Sequence, residues 1–212
     1  MIAISDIHLG PGNGRDDFRD DSGFKDLRFG AALAYWKKRG ERIILVGDTF
    51  ECWQANMAEI EAAHPLAMVA IRDCVDVIVR GNHDWRLEET CGKQLVDEWI
   101  EGGVRYIHGH QLDAFNSGRL AFVGQAATWL AGRAELIHRD ADEWADEWFL
   151  SLGARALGRG RHGDPQDYQK KALERWGPRV VIGHTHTHVP WNTTYGNAGT
   201  WTGDRQDYVK VR

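Results

Sequence analysis

Five short apolar segments, each followed directly by aspartate, asparagine or histidine, constrain the fold of this chain more than any other feature. The clearest is Arg42-Ile-Ile-Leu-Val-Gly-Asp48, whose β-branched residues are typical of a buried strand. Gly47 would allow a tight turn, and Asp48 would then lie just beyond the carboxyl end of the strand. Because open α/β sheets bind ligands at that edge, we predict a site built from strand ends.

The other four segments repeat this arrangement. Each ends in a short polar motif, and the motifs are Asp6-Ile-His8, Gly81-Asn-His-Asp84, His108-Gly-His110 and Gly183-His-Thr-His186. Carboxylate, amide and imidazole groups are ligands for divalent metal ions, and sulfur is almost absent from the set. In an extended segment, residues i and i+2 point the same way, so we expect the 6/8 and 184/186 pairs each to face one site.

Seven of these side chains are candidate metal ligands, which is too many for one tetrahedral zinc ion. Their number suits two divalent ions about 3.5–4 Å apart that share a carboxylate. A single motif is a weak signal, but five in this order, each after an apolar run, are poorly explained as polar loops. The candidates are Asp6, His8, Asp48, Asn82, His108, His184 and His186.

The composition is that of a soluble globular protein, and we predict a single domain over residues 1–212. A net charge of -5 gives no overall attraction to nucleic acid or anionic lipid, although a local basic patch and a peripheral membrane contact stay open. Three cysteines without paired spacing favour a reducing, cytoplasmic environment. No apolar run approaches the roughly 20 residues that span a bilayer, and we expect no cleaved leader.

Periodicity predicts helices at residues 24–38, 55–71 and 88–100, with a break at Pro65 in the second and closure of the third at the glycines 102–103. The first helix and its flanking strands should form a βαβ unit with parallel strands. The acidic loop at residues 10–23 is expected to be solvated, and His64 to be a structural or surface residue. The apolar face of the first helix is predicted to consist of Phe24, Leu27, Ala31, Leu33, Ala34 and Tyr35.

Residues 112–177 contain no convincing strand, and we predict an insert with helices at about 118–132, 134–157 and 165–176. Its apolar side chains could pack between helices or contact a substrate. Its basic turn could hold a phosphate or be solvated. The apolar set is Phe122, Trp129, Leu130, Trp144, Trp148, Phe149 and Leu152, and the basic set is Arg155, Arg159, Arg161 and His162.

Taken together, the five motifs resemble the signature of the calcineurin-like metallophosphoesterases, and they extend from residue 6 to residue 186. The resemblance implies a four-layer α/β/β/α sandwich, with the insert as a helical lid and a dinuclear metal centre at one end of the sheets. It also implies a division of the ligands: Asp6, His8 and His186 at one ion, Asn82, His108 and His184 at the other, and Asp48 between them.

The resemblance further implies a reaction in which a hydroxide held between the ions attacks phosphorus in line. His83 would lie near the scissile phosphate and protonate the leaving oxygen or stabilise charge. Asp84 could orient His83 or cap a turn. Because the ligands are hard oxygen and imidazole, manganese is the favoured ion, with iron, zinc, nickel and magnesium as alternatives.

Within this family, the chain resembles the UDP-2,3-diacylglucosamine pyrophosphatase-like proteins and lacks the Asp-Arg-Gly continuation of the Ser/Thr protein phosphatases. In those relatives the lid takes acyl chains, which makes Trp129 and Trp148 candidate substrate contacts beside Asn82 and His83. His83 departs from the arginine that is typical there, so the substrate stays open. The matching motifs are Ser5-Asp-Ile-His-Leu9, Gly47-Asp-Thr-Phe-Glu51 with Trp53, His108-Gly-His-Gln-Leu-Asp113 and Asn197-Ala-Gly-Thr-Trp201.

We therefore expect a phosphoesterase that hydrolyses a phosphodiester or pyrophosphate bond in a small substrate, with a UDP-diacylglucosamine-like molecule as one candidate. A nucleotide or nucleic-acid phosphodiesterase is the alternative within enzymes, and it would have a basic, open cleft in place of an apolar lid. A non-catalytic metal-binding scaffold of the same fold is the alternative from another class. The oligomeric state is left open by the sequence.

Overall fold

The computed structural model describes residues 1–14, 16–19, 22–84, 86–112 and 164–212. In these ranges two β-sheets are flanked by α-helices, and a 3-10 turn at His110–Leu112 follows the seventh strand. The helices are α1 (Lys25–Lys38), α2 (Met57–Ala63), α3 (Pro65–Cys74) and α4 (Pro165–Trp176). The strands are β1 (Ile2–Ile4), β2 (Ile43–Val46), β3 (Val77–Val79), β4 (Glu89–Thr90), β5 (Lys93–Val96), β6 (Trp99–Glu101), β7 (Val104–Tyr106), β8 (Val180–Ile182), β9 (Tyr195–Asn197) and β10 (Val209–Lys210).

The first sheet has the strand order β10-β1-β2-β3-β5-β4, and the second has the order β6-β7-β8-β9. β1, β2 and β3 are parallel, with Ile2 opposite Ile43 and Ile44 opposite Val77, as predicted for the βαβ unit around α1. Every residue in these three strands is apolar and buried. Parallel strands covered on both faces have this continuous apolar pattern.

Three buried clusters define four layers. Ile4 and other first-sheet residues pack against Phe29 of α1 and Ile71 of α3. Val46 belongs to a cluster between the two sheets, and Tyr168 of α4 packs against the outer face of the second sheet. The order is therefore α/β/β/α, which confirms the predicted fold class.

The predicted helix at residues 88–100 is wrong, because this segment forms β4, β5 and the start of β6. Thr90 lies opposite Lys93, which leaves Cys91 and Gly92 as a two-residue turn with φ of 52° and 68°. A second hairpin joins β6 to β7 through Gly102 and Gly103, whose φ values are 59° and 71°. Positive φ at both positions matches the twist of a tight hairpin. These glycines turn strands rather than end a helix.

Helix α1 is confirmed at Lys25–Lys38, but its predicted apolar face is wrong except at Leu33, which is buried. Phe24, Leu27 and Tyr35 are 63%, 57% and 57% exposed. The buried positions are Lys25, Phe29 and Leu33, which are spaced four residues apart along one face. Lys25 can be buried because its ammonium donates to the carbonyl of Gly203, a contact that the apolar periodicity could not indicate.

The predicted break at Pro65 is confirmed, since α2 ends before His64 and α3 begins at the proline. His64 is buried and has the predicted structural role: its Nε2 lies 2.6 Å from Asp16 Oδ2 and its Nδ1 lies 2.8 Å from Asp26 Oδ1. Asp16 also accepts the backbone N–H of Gly12. The prediction that the acidic loop is solvated is therefore wrong for Asp16, which is 7% exposed. Through His64, Asp16 ties this loop to α1 and to the start of α3.

His64→Gln should lower the free energy of unfolding by about 3 kcal/mol near neutral pH, because it leaves buried carboxylates without their cation. Burial lowers the pKa of His64, but hydrogen bonds to Asp16 and Asp26 raise it from 6.5 to about 9. A raised pKa stabilises the fold fully below 6.5, and this contribution is lost as the pH rises through about 9. The difference in the free energy of unfolding between wild type and His64→Gln, measured by urea unfolding, should be smaller at about pH 10 than at pH 7. An undiminished difference at the higher pH would contradict the ion-pair explanation.

The last predicted helix of the insert is confirmed as α4, where Asp164 caps the first turn by accepting the N–H of Gln166 at 2.9 Å. The predicted helices at about 118–132 and 134–157 lie outside the described residues, as do all the named apolar and basic side chains of the insert. Cys52, Cys74 and Cys91 are free thiols. Across the described ranges, no helix is both long enough and apolar enough to cross a bilayer.

Candidate metal centre

Six of the seven predicted ligands lie in two groups of three at the carboxyl ends of the strands. Within each group, one ligand atom from each residue lies within 4.8 Å of the others. The carboxylate of Asp48 connects the groups, because its Oδ2 lies 3.0 Å from His108 Nε2 and 4.0 Å from His8 Nε2. The first group is Asp6, His8 and His186, and the second is Asp48, His108 and His184.

The ligand residues do not have the extended backbone that we expected from the 6/8 and 184/186 spacing. The strands end before the ligands begin, and five ligands have φ in the left-handed region. For residues other than glycine this conformation costs roughly 1–2 kcal/mol each, so surrounding contacts must hold it. The five, with their φ values, are Asp6 (52°), His8 (52°), Asp48 (49°), His184 (68°) and His186 (53°).

Polar residues at the end of β9 and just after it provide some of these contacts. Thr200 Oγ1 donates to the carbonyl of Asp6 at 2.7 Å. Asn197 Nδ2 donates to the carbonyl of Gly183 at 3.2 Å and to Thr185 Oγ1 at 2.8 Å. The segment 197–201, which the sequence offered only as part of a resemblance, thus supports the two loops that carry the first group.

Two motif glycines are required because a neighbouring motif packs on their Cα atoms. A Cβ at Gly81 would lie 2.0 Å from Asp48 Oδ1 and 2.3 Å from the Asp48 backbone nitrogen. A Cβ at Gly183 would lie 1.8 Å from Ser5 Oγ and 2.6 Å from Asp6 Oδ2. Real Cβ atoms do not approach other atoms so closely, so each glycine sets the position of a carboxylate in the next loop.

Gly81→Ala should therefore displace Asp48 and weaken Mn²⁺ binding by about 100-fold, the upper end of the usual effect of disturbing a ligand's support. Titration calorimetry of the metal-free protein measures this directly. Gly14→Ala is the matched control, because a Cβ at Gly14 would meet nothing within 4 Å. Equal Mn²⁺ affinity in the two variants would contradict the packing explanation.

In the centre, buried carboxylates and imidazoles shift each other's pKa, so that the carboxylates favour the ionised form and His108 favours the protonated form. Burial raises the pKa of Asp6 and of Asp48, but the charge of His108 and the other nearby histidines outweighs it and holds both below their ordinary values. Burial lowers the pKa of His108, whereas the charges of Asp48 and Asp6 raise it to about 9. The carboxylates are thus ionised, and the centre favours positive charge beside them.

The donor atoms fit divalent metal ions. Asp6 Oδ1, Asn82 Oδ1 and His108 Nε2 are buried and have no hydrogen bond of good geometry among the residues that the structure describes. His8 Nε2 and His186 Nε2 are 3.3 Å apart, although both are potential acceptors. Buried polar atoms without a well-formed hydrogen bond are costly unless a cation lies among them.

Hydrogen bonds on the far side of two imidazoles support the same interpretation. His8 Nδ1 donates to Glu51 Oε2 at 2.9 Å, and His108 Nδ1 donates to the carbonyl of Val46 at 2.8 Å. Each ring is then left with Nε2 as the nitrogen that can hold a metal ion. The arrangement is that of metal-binding histidines fixed by neighbouring acceptors.

His83 and Asp84 lie beside Asp48, and the ring of His83 also contacts His8 of the first group. The side chain of His83 is 15% exposed, and its Nε2 lies 4.0 Å from Asp48 Oδ2. Asp84 is fully buried, and its carboxylate accepts the N–H groups of Thr49 and Gly81. Burial and the charge of Asp48 raise the pKa of Asp84 to about 6. These contacts are those of a cap that joins two ligand loops.

Sequence reasoning missed two residues that contact His83. Glu51 Oε2 lies 2.6 Å from His83 Nδ1, and the ring of Trp53 is stacked on the His83 ring at 3.9 Å between centroids. The available signal was a carboxylate three residues after Asp48, between Phe50 and Cys52. Trp129 and Trp148, the predicted substrate contacts, lie outside the described residues.

A family model described as calcineurin-like phosphoesterase matches residues 1–190. The chain belongs to the calcineurin-like phosphoesterase family. Like other members of this family, this phosphoesterase is a hydrolase, and its grouped histidine and aspartate side chains could hold metal ions.

Among solved structures, this phosphoesterase is similar to a conserved protein from Streptococcus pneumoniae TIGR4 that is described as a predicted phosphoesterase. The match covers 94% of this chain and 71% of that chain, with a TM-score of 0.36 and 13% sequence identity. No curated protein matches the chain in sequence.

Proposed function

We propose that this phosphoesterase hydrolyses a phosphodiester or pyrophosphate bond in a small substrate and uses two divalent ions, with Mn²⁺ as the favoured metal. The observation that carries the proposal is the carboxylate of Asp48, which lies at both ligand groups. One ion would be held by Asp6, His8 and His186, and the other by Asn82, His108 and His184, with Asp48 shared.

When bound, the two ions would supply positive charge to offset the phosphate and would lower the pKa of a water molecule towards neutrality. The protein's own part is to hold the ligands in place and to admit the substrate. Asn82 is a neutral ligand, so it adds no further negative charge against an anionic substrate. His186 is 44% exposed, whereas Asp6 and His108 are fully buried, so the His186 side of the centre is open to solvent.

His83 is suited to protonate the leaving oxygen. Its Nδ1 is engaged by Glu51, so Nε2 is the nitrogen left to face the substrate. The stacked ring of Trp53 covers one face of the imidazole. A histidine so held can carry a proton at working pH and donate it at a fixed position.

The deciding experiment is a hydrolysis panel with added Mn²⁺ that contains a phosphate monoester, a phosphodiester, a nucleotide-sugar pyrophosphate, UDP-diacylglucosamine and a short oligonucleotide. We expect diester or pyrophosphate cleavage to exceed monoester cleavage. Preference for the oligonucleotide would support the nucleic-acid alternative. Two bound ions with no cleavage of any substrate would support the non-catalytic scaffold.

The lid hypothesis has its own test within this panel. Trp148→Ala should raise KM for UDP-diacylglucosamine more than for the unacylated nucleotide-sugar pyrophosphate, because only the first carries acyl chains to bury. An equal effect on both substrates would favour the alternative in which the insert's tryptophans only pack between helices.

A further inference from the structure

Glu51 lies where the segment that follows Asp48 pairs with the segment that contains His8. Glu51 is 1% exposed, and its N–H donates to the carbonyl of Leu9 at 3.0 Å. The N–H of Leu9 in turn donates to the carbonyl of Thr49 at 3.0 Å. The segment after Asp48 is therefore paired with the segment that contains His8, and the Glu51 carboxylate is enclosed between them.

A single oxygen of Glu51 contacts two imidazoles. Oε2 lies 2.9 Å from His8 Nδ1 and 2.6 Å from His83 Nδ1. A carboxylate only accepts hydrogen bonds, so both nitrogens donate. Each ring consequently presents Nε2 to the centre. His8 Nε2 lies 3.9 Å from Asp6 Oδ1, and His83 Nε2 lies 4.0 Å from Asp48 Oδ2.

Other contacts complete the placement of His83. Trp53 is stacked on its face with an angle of 17° between the ring planes. The His8 ring meets it edge-on, with 4.7 Å between centroids and 87° between planes. The hydrogen bond from Nδ1 to Glu51 fixes the remaining rotation of the imidazole, which is the rotation within the plane of the ring. A functional group is most precise when its neighbours lock its rotamer in this way.

We propose that Glu51 is a positioning residue that sets one metal ligand and the proton donor together, through hydrogen bonds from His8 and His83 to the same carboxylate oxygen. The part of this inference that concerns proton donation rests on the proposed function, whereas the part that concerns His8 depends on metal binding alone. Removing a carboxylate behind a metal-binding histidine typically costs about 10- to 100-fold in metal affinity or activity.

Glu51→Gln is the primary test, because the amide keeps the shape but has one accepting oxygen beside a donating NH₂ group. In calorimetric titration of the metal-free protein, we expect the affinity for one Mn²⁺ ion to fall about 10- to 100-fold while the other ion binds as before. Unchanged affinity for both ions would overturn the proposal. Three bound ions in the wild type and two in the variant would also overturn it, since Glu51 would then be a ligand.

Asp26→Asn is the matched control. It takes a carboxylate from a buried imidazole at the same kind of distance, 2.8 Å from His64 Nδ1, but away from the centre. We expect this variant to lose stability and to keep its Mn²⁺ affinities. If Asp26→Asn weakened Mn²⁺ binding as much as Glu51→Gln, the effect would be general destabilisation and the proposal would fail.

The second arm of the test concerns His83. Its ring protons should be shifted upfield in the NMR spectrum by the stacked Trp53, and Glu51→Gln should reduce this shift in the metal-free protein. At saturating Mn²⁺, Glu51→Gln should make the rate depend more steeply on the pKa of the leaving group. When His83 has already been replaced by alanine, the same substitution should not steepen this dependence further. An unchanged ring shift, or a further steepening in the His83→Ala variant, would overturn the shared placement.

The two proposals fail in different ways. If no substrate is cleaved, the proposed function is refuted, while the Mn²⁺ titration and the ring shift still decide whether Glu51 places His8 and His83. If hydrolysis occurs but Glu51→Gln leaves both of these measurements unchanged, the proposed function stands and the positioning role is refuted.

Discussion

Asp48→Ala should abolish Mn²⁺ binding at both positions and hydrolysis with it. Asp48 is the carboxylate that lies at both ligand groups, and it is 2% exposed, so alanine would remove a buried negative charge that a neutral water molecule cannot supply. We expect the affinity for each ion to fall by more than about 100-fold, beyond the usual effect of losing an outer contact. Metal content after dialysis and calorimetric titration would measure the loss.

Asp76→Asn is the control for Asp48→Ala. Asp76 accepts a hydrogen bond from Lys37 at 2.8 Å and one from the N–H of Ile43 at 2.9 Å, at the opposite end of β2 from the centre. It should change stability and leave metal content unaltered. Retention of both ions by Asp48→Ala would refute the bridging role. Loss of only one ion would show that the groups are independent.

His83→Ala should keep both ions and lose turnover, by about 10²- to 10⁴-fold, the usual contribution of a general acid. The loss should be largest for substrates with poor leaving groups, since these depend most on protonation. Rates for a series of aryl phosphodiesters with different leaving-group pKa values would measure this. Equal losses across the series would contradict the acid role and leave only charge stabilisation.

His188→Ala is the control for His83→Ala. His188 is exposed, and its Nε2 contacts the carbonyl of Tyr208 at 3.0 Å. This variant should retain turnover with every leaving group. Turnover of His83→Ala at the level of this control would end the assignment of His83 as the proton donor.

The grouping of the candidate ligands was predictable from sequence because its signals are local. An apolar run, a glycine and a polar residue are contiguous, and close approach to the next loop demands the glycine, as at Gly81 and Gly183. The order of the layers came only from the family resemblance, whereas the buried parallel strands followed from the same runs, because such strands need apolar residues on both faces. Neither inference required knowledge of a distant contact.

The errors arose where a distant contact or a turn decided the outcome. Lys25 is buried because Gly203 accepts its ammonium hydrogen bond, and the buried face of α1 shares only Leu33 with the face that periodicity indicated. Residues 88–100 have a helix-like pattern of apolar residues, but the turn at Cys91 and Gly92 makes β4 and β5 a hairpin. Gly92 was itself a sequence signal for that turn. Glu51 was missed because its partners lie 43 and 32 residues away along the chain.

The left-handed backbone at five ligands has a consequence for how this protein can change. Glycine would relax that conformation, but it would delete the ligand, so these positions cannot be optimised for folding. Gains in thermal tolerance must come from elsewhere, for example from the exposed apolar positions Leu27 and Tyr35 of α1. Hydrogen exchange in the loops that carry Asp6 and His184 should accordingly be faster in a chelated sample and should slow when Mn²⁺ is restored.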